Sequence, residues 1–324
     1  MNLEDYQITV VIPAYNVERQ VDAIIRSLPA FVKHVIVVND ASTDTTSQVI
    51  ERVAKDDPRV ILLQHKTNQG VGGAMVSGFI KALELSSQVI VKMDGDGQMS
   101  AEDLPLLITP LISGDADYTK GNRFRDLKTL KNMPIVRLWG NTALSFLVKA
   151  ATGYWECLDP SNGFLAIRGD VLEKITLEKI HHSYFFEISM LSQLYMIDAY
   201  VMDIPLKTRY GDEKSHMSII QILSEYPGQL GKVLVRRILL KKFLYDFSMD
   251  SIYILFGLPM VIFGGAFGLV NWIRYHRIGV GAPTGTIMIA VLILILGFQM
   301  LFSAINIDLQ NVPKSPINKG EQGT

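Results

Sequence analysis

The sequence predicts an α/β protein: a parallel, doubly wound sheet in its first half, then amphipathic helices, then two membrane-spanning helices. Three observations carry that expectation. Short β-branched runs alternate with helical apolar spacing over roughly the first hundred residues, as in successive βαβ units. Two acidic residues, Asp94 and Asp96, follow the fourth of those runs. Two uncharged stretches, Ile252 to Ile273 and Thr286 to Ile307, would each span about 33 Å as helices, the thickness of a bilayer core.

Ile8 to Ile12 reads as the first strand, closed by Pro13. Val21, Ile24, Ile25 and Leu28 recur at helical spacing, and Val35 to Val38 is the second strand. Thr43 or Asp44 suits the N-cap of the next helix. Val60 to Leu63 is the third strand, Val71 to Leu85 a helix, and Val89 to Met93 the fourth strand, buried on both faces. Gly70, Gly72 and Gly73 open that helix, and close helix-to-sheet packing accounts for them better than phosphate contact does. Ile252 to Ile273 contains Pro259 and several glycines, which a helix in lipid tolerates when its neighbours satisfy the freed backbone. Buried core helices are the alternative, but cores seldom need runs so long and so uniformly apolar.

The chain has 324 residues, 48% of them hydrophobic, yet carries 31 basic and 32 acidic side chains, so polar and apolar regions are segregated. A formal net charge of −1 argues against nucleic acid as a partner. Cys157 is the single cysteine, which excludes an intrachain disulfide, and Met1 to Asp5 lacks the features of a signal peptide. From Lys207 to Lys242 basic residues outnumber the acids Asp212, Glu213 and Glu225. That excess predicts an integral membrane protein with this flank and the catalytic domain on the cytoplasmic side, the basic residues facing an anionic leaflet. Ser218 to Phe247 reads as interfacial amphipathic helices broken near Pro227 and Gly228. The expected divisions are 1–216 for the catalytic domain, 217–250 for the juxtamembrane helices, 251–310 for the transmembrane hairpin and 311–324 for a disordered polar tail.

Asp94-Gly95-Asp96-Gly97-Gln98 stands where a buried parallel strand ends, the edge at which ligands bind in open α/β sheets. Two carboxylates and an amide oxygen suit a hard divalent cation that keeps positions open for phosphate oxygens. No Gly-x-Gly-x-x-Gly follows the first strand and no P-loop occurs, so dinucleotide enzymes and P-loop NTPases are poor candidates. Asp40 emerges at the same edge and could accept hydrogen bonds from a base or ribose. His181-His182 lacks a third metal ligand, and Glu187 is expected on a solvent-facing helix surface.

Taken in order, Val11 to Asn16, Asn39 to Asp44, Asn68 to Gly72 and Asp94 to Gln98 resemble the motifs of family 2 glycosyltransferases of GT-A fold. Gly121-Asn122-Arg123, Arg137, Asp159 to Phe164, Ile204-Pro205 and Arg209 to Ser215 are similar to the dolichyl- or polyprenyl-phosphate sugar synthases, over roughly residues 7 to 245. The resemblance implies that Asp94, Asp96 and Gln98 hold Mg2+ or Mn2+ against a nucleotide-sugar diphosphate. It implies that Pro13, Tyr15, Asn16, Asp40 and Gly95 line the nucleotide, that Arg123 and Arg137 grip a lipid phosphate, and that Arg209 and Lys214 close over donor phosphates. Asn39 and Ala41 stand where the family usually has Asp and Gly, Asn122 replaces a common Ser, and Lys214 lies one residue late.

Residue chemistry agrees with that expectation. Cleaving a sugar–diphosphate bond builds negative charge on the leaving group, which a divalent ion and basic side chains stabilise. A phosphomonoester acceptor, with a second pKa of about 6, needs no general base near neutral pH. Attack opposite the diphosphate would invert the anomeric centre. A hydroxyl acceptor, as in polysaccharide synthases, would need a base, for which Asp159 is the candidate. A non-catalytic nucleotide-sugar-binding scaffold is a further alternative, which the intact acid pair disfavours. The sugar, the nucleotide and any homo-oligomer are left open.

Overall fold

The computed structural model describes residues 2–122, 135–160, 162–206 and 219–317. The chain divides into two compact units, one of residues 1–233 with 313–324, the other of residues 234–312.

In the first unit seven strands form one mixed sheet in the order β3-β2-β1-β4-β6-β5-β7. They are β1 (Ile8–Ala14), β2 (Val32–Asn39), β3 (Val60–Gln64), β4 (Val89–Lys92), β5 (Tyr118–Asn122), β6 (Leu165–Arg168) and β7 (Val201–Pro205). Only β6 runs against its neighbours. The chain builds outward from β1 to β3, then returns to place β4 on the other side of β1. That reversal opens a crevice beyond the carboxyl ends of β1 and β4. The longer helices of this unit are α1 (Val21–Ser27), α2 (Thr46–Asp56), α3 (Gly70–Glu84), α4 (Leu104–Ile112), α5 (Ile135–Thr152) and α6 (Phe186–Met196); α7 (Ile219–Arg237) begins in it and runs on through Pro227 as one helix, without the expected break.

Burial follows the strand period. Ile8, Val10 and Ile12 of β1 join Val35, Val37, Val89 and Val91 in one core with Ile24 and Ile25 of α1, Ile50 and Val53 of α2 and Leu104 and Leu107 of α4. Val11 faces the other way, against α3, where a Cβ at Gly78 would collide with the Val11 side chain. Helices thus cover both faces, which is why these strands read as unbroken apolar runs.

Pro13 lies inside β1 and does not close it. β4 pairs with β1 only as far as Val11 opposite Lys92, while β1 continues along β2 to Ala14 opposite Asn39. Pro13 therefore falls where the ladder toward β4 has already ended, so its missing N–H costs no sheet hydrogen bond. The N-cap position of α2 is Thr45, one residue later than expected, and it makes no side-chain capping bond; Asp44 Oδ1 accepts from Thr46 N at 3.0 Å.

The segment after Asn311 is not a free tail up to Ile317. Val312 and Pro316 are buried, and Ile317 N donates to Asp117 Oδ2 at 2.9 Å.

The second unit contains a π-helical segment (Ile238–Tyr245) and two long helices, α8 (Met249–Arg277) and α9 (Thr284–Gln310). Both are long and apolar enough to cross a membrane, and only 11% and 17% of their most apolar stretches are buried in the protein, unlike soluble core helices. They pack on small residues seven apart, Gly257 and Gly264 on α8 and Ala290, Gly297 and Ala304 on α9, the spacing of a left-handed supercoil. Helix packing, rather than backbone tolerance alone, explains Gly257 and Gly264.

The basic flank departs from expectation. Lys207, Arg209 and Lys214 lie outside the described residues, but Arg237, Lys241 and Lys242 are buried and paired with Asp308, Asp246 and Asp250. Val235, Leu239, Leu244, Tyr245 and Phe247 are exposed in this stretch, as is Lys232, while Arg236 is half-buried. Counting only nearby acids concealed the pairing, because Asp308 is 66 positions beyond Lys242 in sequence. These three cations therefore do not face an anionic leaflet.

Candidate active site

The acid pair sits on the turn that follows β4, at the β1/β4 crevice. Gly95 packs on β1: a Cβ there would lie 3.1 Å from Pro13 O. Asp96 Oδ1 accepts from Gln98 N at 3.0 Å, which closes the turn, and Gln98 is exposed. Asp94 is held by a residue the sequence reading passed over. Lys92, fully buried at the end of β4, brings Nζ within 2.5 Å of Asp94 Oδ1, 3.2 Å of Gly163 O and 3.4 Å of Glu187 Oε1. Burial pushes the Lys92 ammonium down, but the Asp94 and Glu187 carboxylates outweigh it and hold the group above its ordinary range. Glu187, expected on a solvent-facing surface, is buried against this lysine in the first turn of α6. It lies within a run of ten buried residues, Phe186 to Tyr195, which the polar Ser189, Ser192 and Gln193 disguise in the sequence.

Asp159 is fully buried in the turn before β6, whose backbone Asn162 N closes onto Asp159 O at 3.2 Å. Lys120, buried in β5, donates to Asn162 O and so carries the same turn from below. Burial lowers the Lys120 pKa. Asn122 donates to Asp203 Oδ2 at 3.1 Å, tying β5 to β7.

The other edge loops are stitched together. Asn16 Oδ1 accepts from Thr43 N at 2.9 Å, and Asn16 N donates to Ser42 Oγ at 3.0 Å. Asn39 accepts from Ser42 N at 3.1 Å and donates to Gln64 Oε1 at 2.9 Å. An amide can do both, which a carboxylate cannot, and this accounts for Asn at that position. Tyr15 is exposed on the rim. Asp40 is buried, and its oxygens accept from Gln69 N and Gly70 N at 2.8 Å each and contact His65 Nδ1 at 2.7 Å. His65 Nε2 in turn lies 2.9 Å from Ser77 Oγ. Asp40 thus organises the loop that leads into α3.

Gly72 N and Gly73 N both donate to His182 O, at 2.7 and 3.2 Å, and a Cβ on Gly72 would collide with His181 O. Gly70 and Gly72 thus serve close packing, but against the His181–Ser183 backbone and not the sheet as expected, and the Gly72 and Gly73 N–H groups are spent within the chain. Arg123, Arg209 and Lys214 lie outside the described residues, and Arg137 falls in the first turn of α5.

Among the described residues no three His, Cys, Asp or Glu side chains converge on one point. Among the described residues the acid-pair turn therefore offers a cation two carboxylates and an amide, a set that fits Mg2+ or Mn2+ shared with phosphate and water better than a closed structural zinc site. Asp94 Oδ2 accepts no hydrogen bond from the described residues, so one oxygen is free for such an ion.

The sequence profile of glycosyl transferase family 2 matches residues 9–176. A UDP-N-acetylglucosamine–dolichyl-phosphate N-acetylglucosaminyltransferase from Methanococcus voltae is 28% identical over 223 residues, covering 64% of this chain and 88% of the relative. A polyprenol monophosphomannose synthase from Mycolicibacterium smegmatis is 31% identical over 209 residues, covering 61% of this chain and 75% of the relative. Among solved structures, glucosyl-3-phosphoglycerate synthase from Mycobacterium tuberculosis, in complex with Mn2+, uridine diphosphate and phosphoglyceric acid, shares the fold. Its TM-score is 0.53 at 19% identity, over 72% of this chain and 81% of that one. With the profile running from β1 through β6 and the acid pair at the sheet's switch point, the chain belongs to glycosyl transferase family 2 and is a glycosyltransferase.

Proposed function

We propose that this enzyme moves a sugar from a UDP- or GDP-sugar to a polyprenyl or dolichyl phosphate at the cytoplasmic membrane face, with inversion at the anomeric carbon. The observation that carries the reading is the acid-pair turn at the β1/β4 crevice, with Asp94 pinned by Lys92. Relatives named for dolichyl- and polyprenyl-phosphate transfer, and two helices able to cross a bilayer, support a lipid acceptor. Asp94, Asp96 and Gln98 would hold Mg2+ or Mn2+. When bound, the ion neutralises charge developing on the diphosphate leaving group.

The chain's own residues have distinct tasks in this reading. Tyr15 offers an exposed ring beside the nucleotide path, and Asp40 fixes the Asn68–Gly70 loop along it. Arg123 and Arg137 grip the acceptor phosphate, and Arg209 and Lys214 cover the donor phosphates. An acceptor phosphate is already a nucleophile near neutral pH. Asp159, fully buried, is then not needed as a base, which favours a phosphate over a hydroxyl acceptor.

The test incubates the purified protein with polyprenyl phosphate, Mg2+ and a panel of radiolabelled sugar nucleotides. A labelled lipid that is lost with EDTA and in Asp96→Ala is expected, as is an Arg137→Ala defect that extra acceptor partly restores. No labelled lipid with any donor, or full activity in both variants, would overturn the reading.

A further inference from the structure

Lys92 is placed to do more than fill space. It is the last residue of β4 and stands two residues before Asp94. An ammonium has three donors. Here its neighbours are Asp94 Oδ1, Gly163 O and Glu187 Oε1, one from the acid-pair turn, one from the turn before β6 and one from α6. Room for it exists because residue 163 has no side chain: a Cβ there would collide with Lys92 Nζ and lie 2.7 Å from Asp94 Oδ2. The lysine side chain is only 1% exposed, so water does not compete for these contacts.

We propose that Lys92 is a positioning residue that permanently occupies Asp94 Oδ1, making the acid pair a lopsided cation site whose ion is recruited chiefly together with the donor diphosphate. The inference rests on the acid pair being the cation site. Asp94 then lends Oδ2 alone, and the rest of the pair's share falls to Asp96. A fixed positive charge beside the pair opposes a divalent ion until the negative diphosphate arrives to offset it. Glu187 is the counter-anion that lets Lys92 remain there without unpaired buried charge.

The measurement is Mn2+ binding to nucleotide-free, full-length protein in detergent, followed by electron paramagnetic resonance. Lys92→Met keeps the side-chain volume but leaves Glu187 unpaired, so Lys92→Met/Glu187→Gln is made as well, and thermal midpoints confirm that both fold. Removing a unit charge this close is expected to tighten Mn2+ binding by about 10-fold in Lys92→Met. The double variant, which restores charge balance but frees Asp94 Oδ1, is expected to bind about 3-fold more tightly than wild type. Adding UDP should narrow the gap between wild type and variants. Asp96→Ala should abolish Mn2+ binding in every background.

If the folded double variant binds Mn2+ no more tightly than wild type while Asp96→Ala abolishes binding, the role of Lys92 is wrong and the cation site stands. If Asp96→Ala leaves Mn2+ binding intact, the cation site itself is elsewhere and both readings fall.

Discussion

Arg237 Nη1 lies 2.8 and 3.0 Å from the two carboxylate oxygens of Asp308, joining the end of α7 to the end of α9. Lys242 Nζ reaches the same carboxylate at 3.1 Å and Asp250 at 2.6 Å, so one buried network ties the juxtamembrane segment to both long helices. Truncating Asp308 would take this carboxylate from the buried Arg237 and leave Lys242 with Asp250. Breaking a buried pair from one side costs about 3–5 kcal/mol. Asp308→Ala should therefore lower the thermal midpoint in detergent substantially, and Asp308→Asn, which keeps one acceptor, should lower it less. Equal midpoints for wild type and Asp308→Ala would show that the network stabilises nothing.

The same network marks a limit of reading one dimension. Alternating strands and helices are local patterns, so the order β1 to β4, the acid pair at the sheet edge and the two long apolar helices were all legible in the sequence. Pairings between distant residues were not. Arg237 finds Asp308 through the antiparallel return of α9, and no local charge count anticipates that. Lys92 and Glu187 were hidden for a related reason: a charged residue in a strand or helix reads as exposed until a buried partner is known. Ala41 was legible as an oddity, and its backbone now supplies the cause.

Ala41 adopts φ +58°, in the left-handed region, at the start of the loop after β2. A side chain there costs roughly 1–2 kcal/mol, part of which glycine returns as entropy of the unfolded chain. Ala41→Gly is expected to stabilise the protein by about 0.5–1 kcal/mol. An unchanged or lowered midpoint would mean that the Asn39–Ser42 contacts, not the dihedral, govern this loop.

Gly163 offers a sharper probe of the site. An added methyl would press on Lys92 Nζ and on Asp94 Oδ2, which a Cβ would approach to 2.7 Å. Displacing a positioned group by about 1 Å can cost on the order of 100-fold in rate. Gly163→Ala should fold, as its Cβ meets side-chain atoms and no backbone, yet lose about that much sugar transfer. Wild-type turnover in this variant would show that Asp94 tolerates displacement.

Asp117 gives a pH signature. Burial raises its carboxyl above the usual range, against the pull of the Tyr200 and Ile317 N–H groups and of Arg168. The folded state therefore keeps the proton longer than the unfolded chain does. Below the unfolded value, about 3.9, both states are protonated and the group is neutral for stability. As pH climbs from there through the folded value, the unfolded chain ionises first and stability is lost. Asp117→Asn can still accept from both N–H groups and carries no charge. Its thermal midpoint relative to wild type should rise from about pH 4 upward and then level off. A difference independent of pH would contradict the assignment.

The hairpin's close approach depends on Gly297. A Cβ there would lie 2.9 Å from Val261 Cγ2, 3.0 Å from Val261 N and 3.1 Å from Gly257 O. Two of those three atoms are backbone and cannot rotate away, so α8 itself would have to shift. In lipid no hydrophobic force compensates for lost packing, because acyl chains are as apolar as the side chains they meet. Gly297→Leu should therefore separate the helices. A disulfide between cysteines placed at Gly268 and Ala290, where a Cβ on Gly268 would lie 3.4 Å from Ala290 Cβ, with Cys157 replaced by Ser, would report it: readily formed in the parent and strongly reduced once Gly297→Leu is added. Gly265 serves as the control, because a Cβ there meets only the end of Leu294 at 4.0 Å. Gly265→Leu should leave the crosslink nearly unchanged. Equal crosslinking with Gly297→Leu would mean that α8 and α9 are held by their ends, through Asp250 and Asp308, and not by the small-residue seam between them.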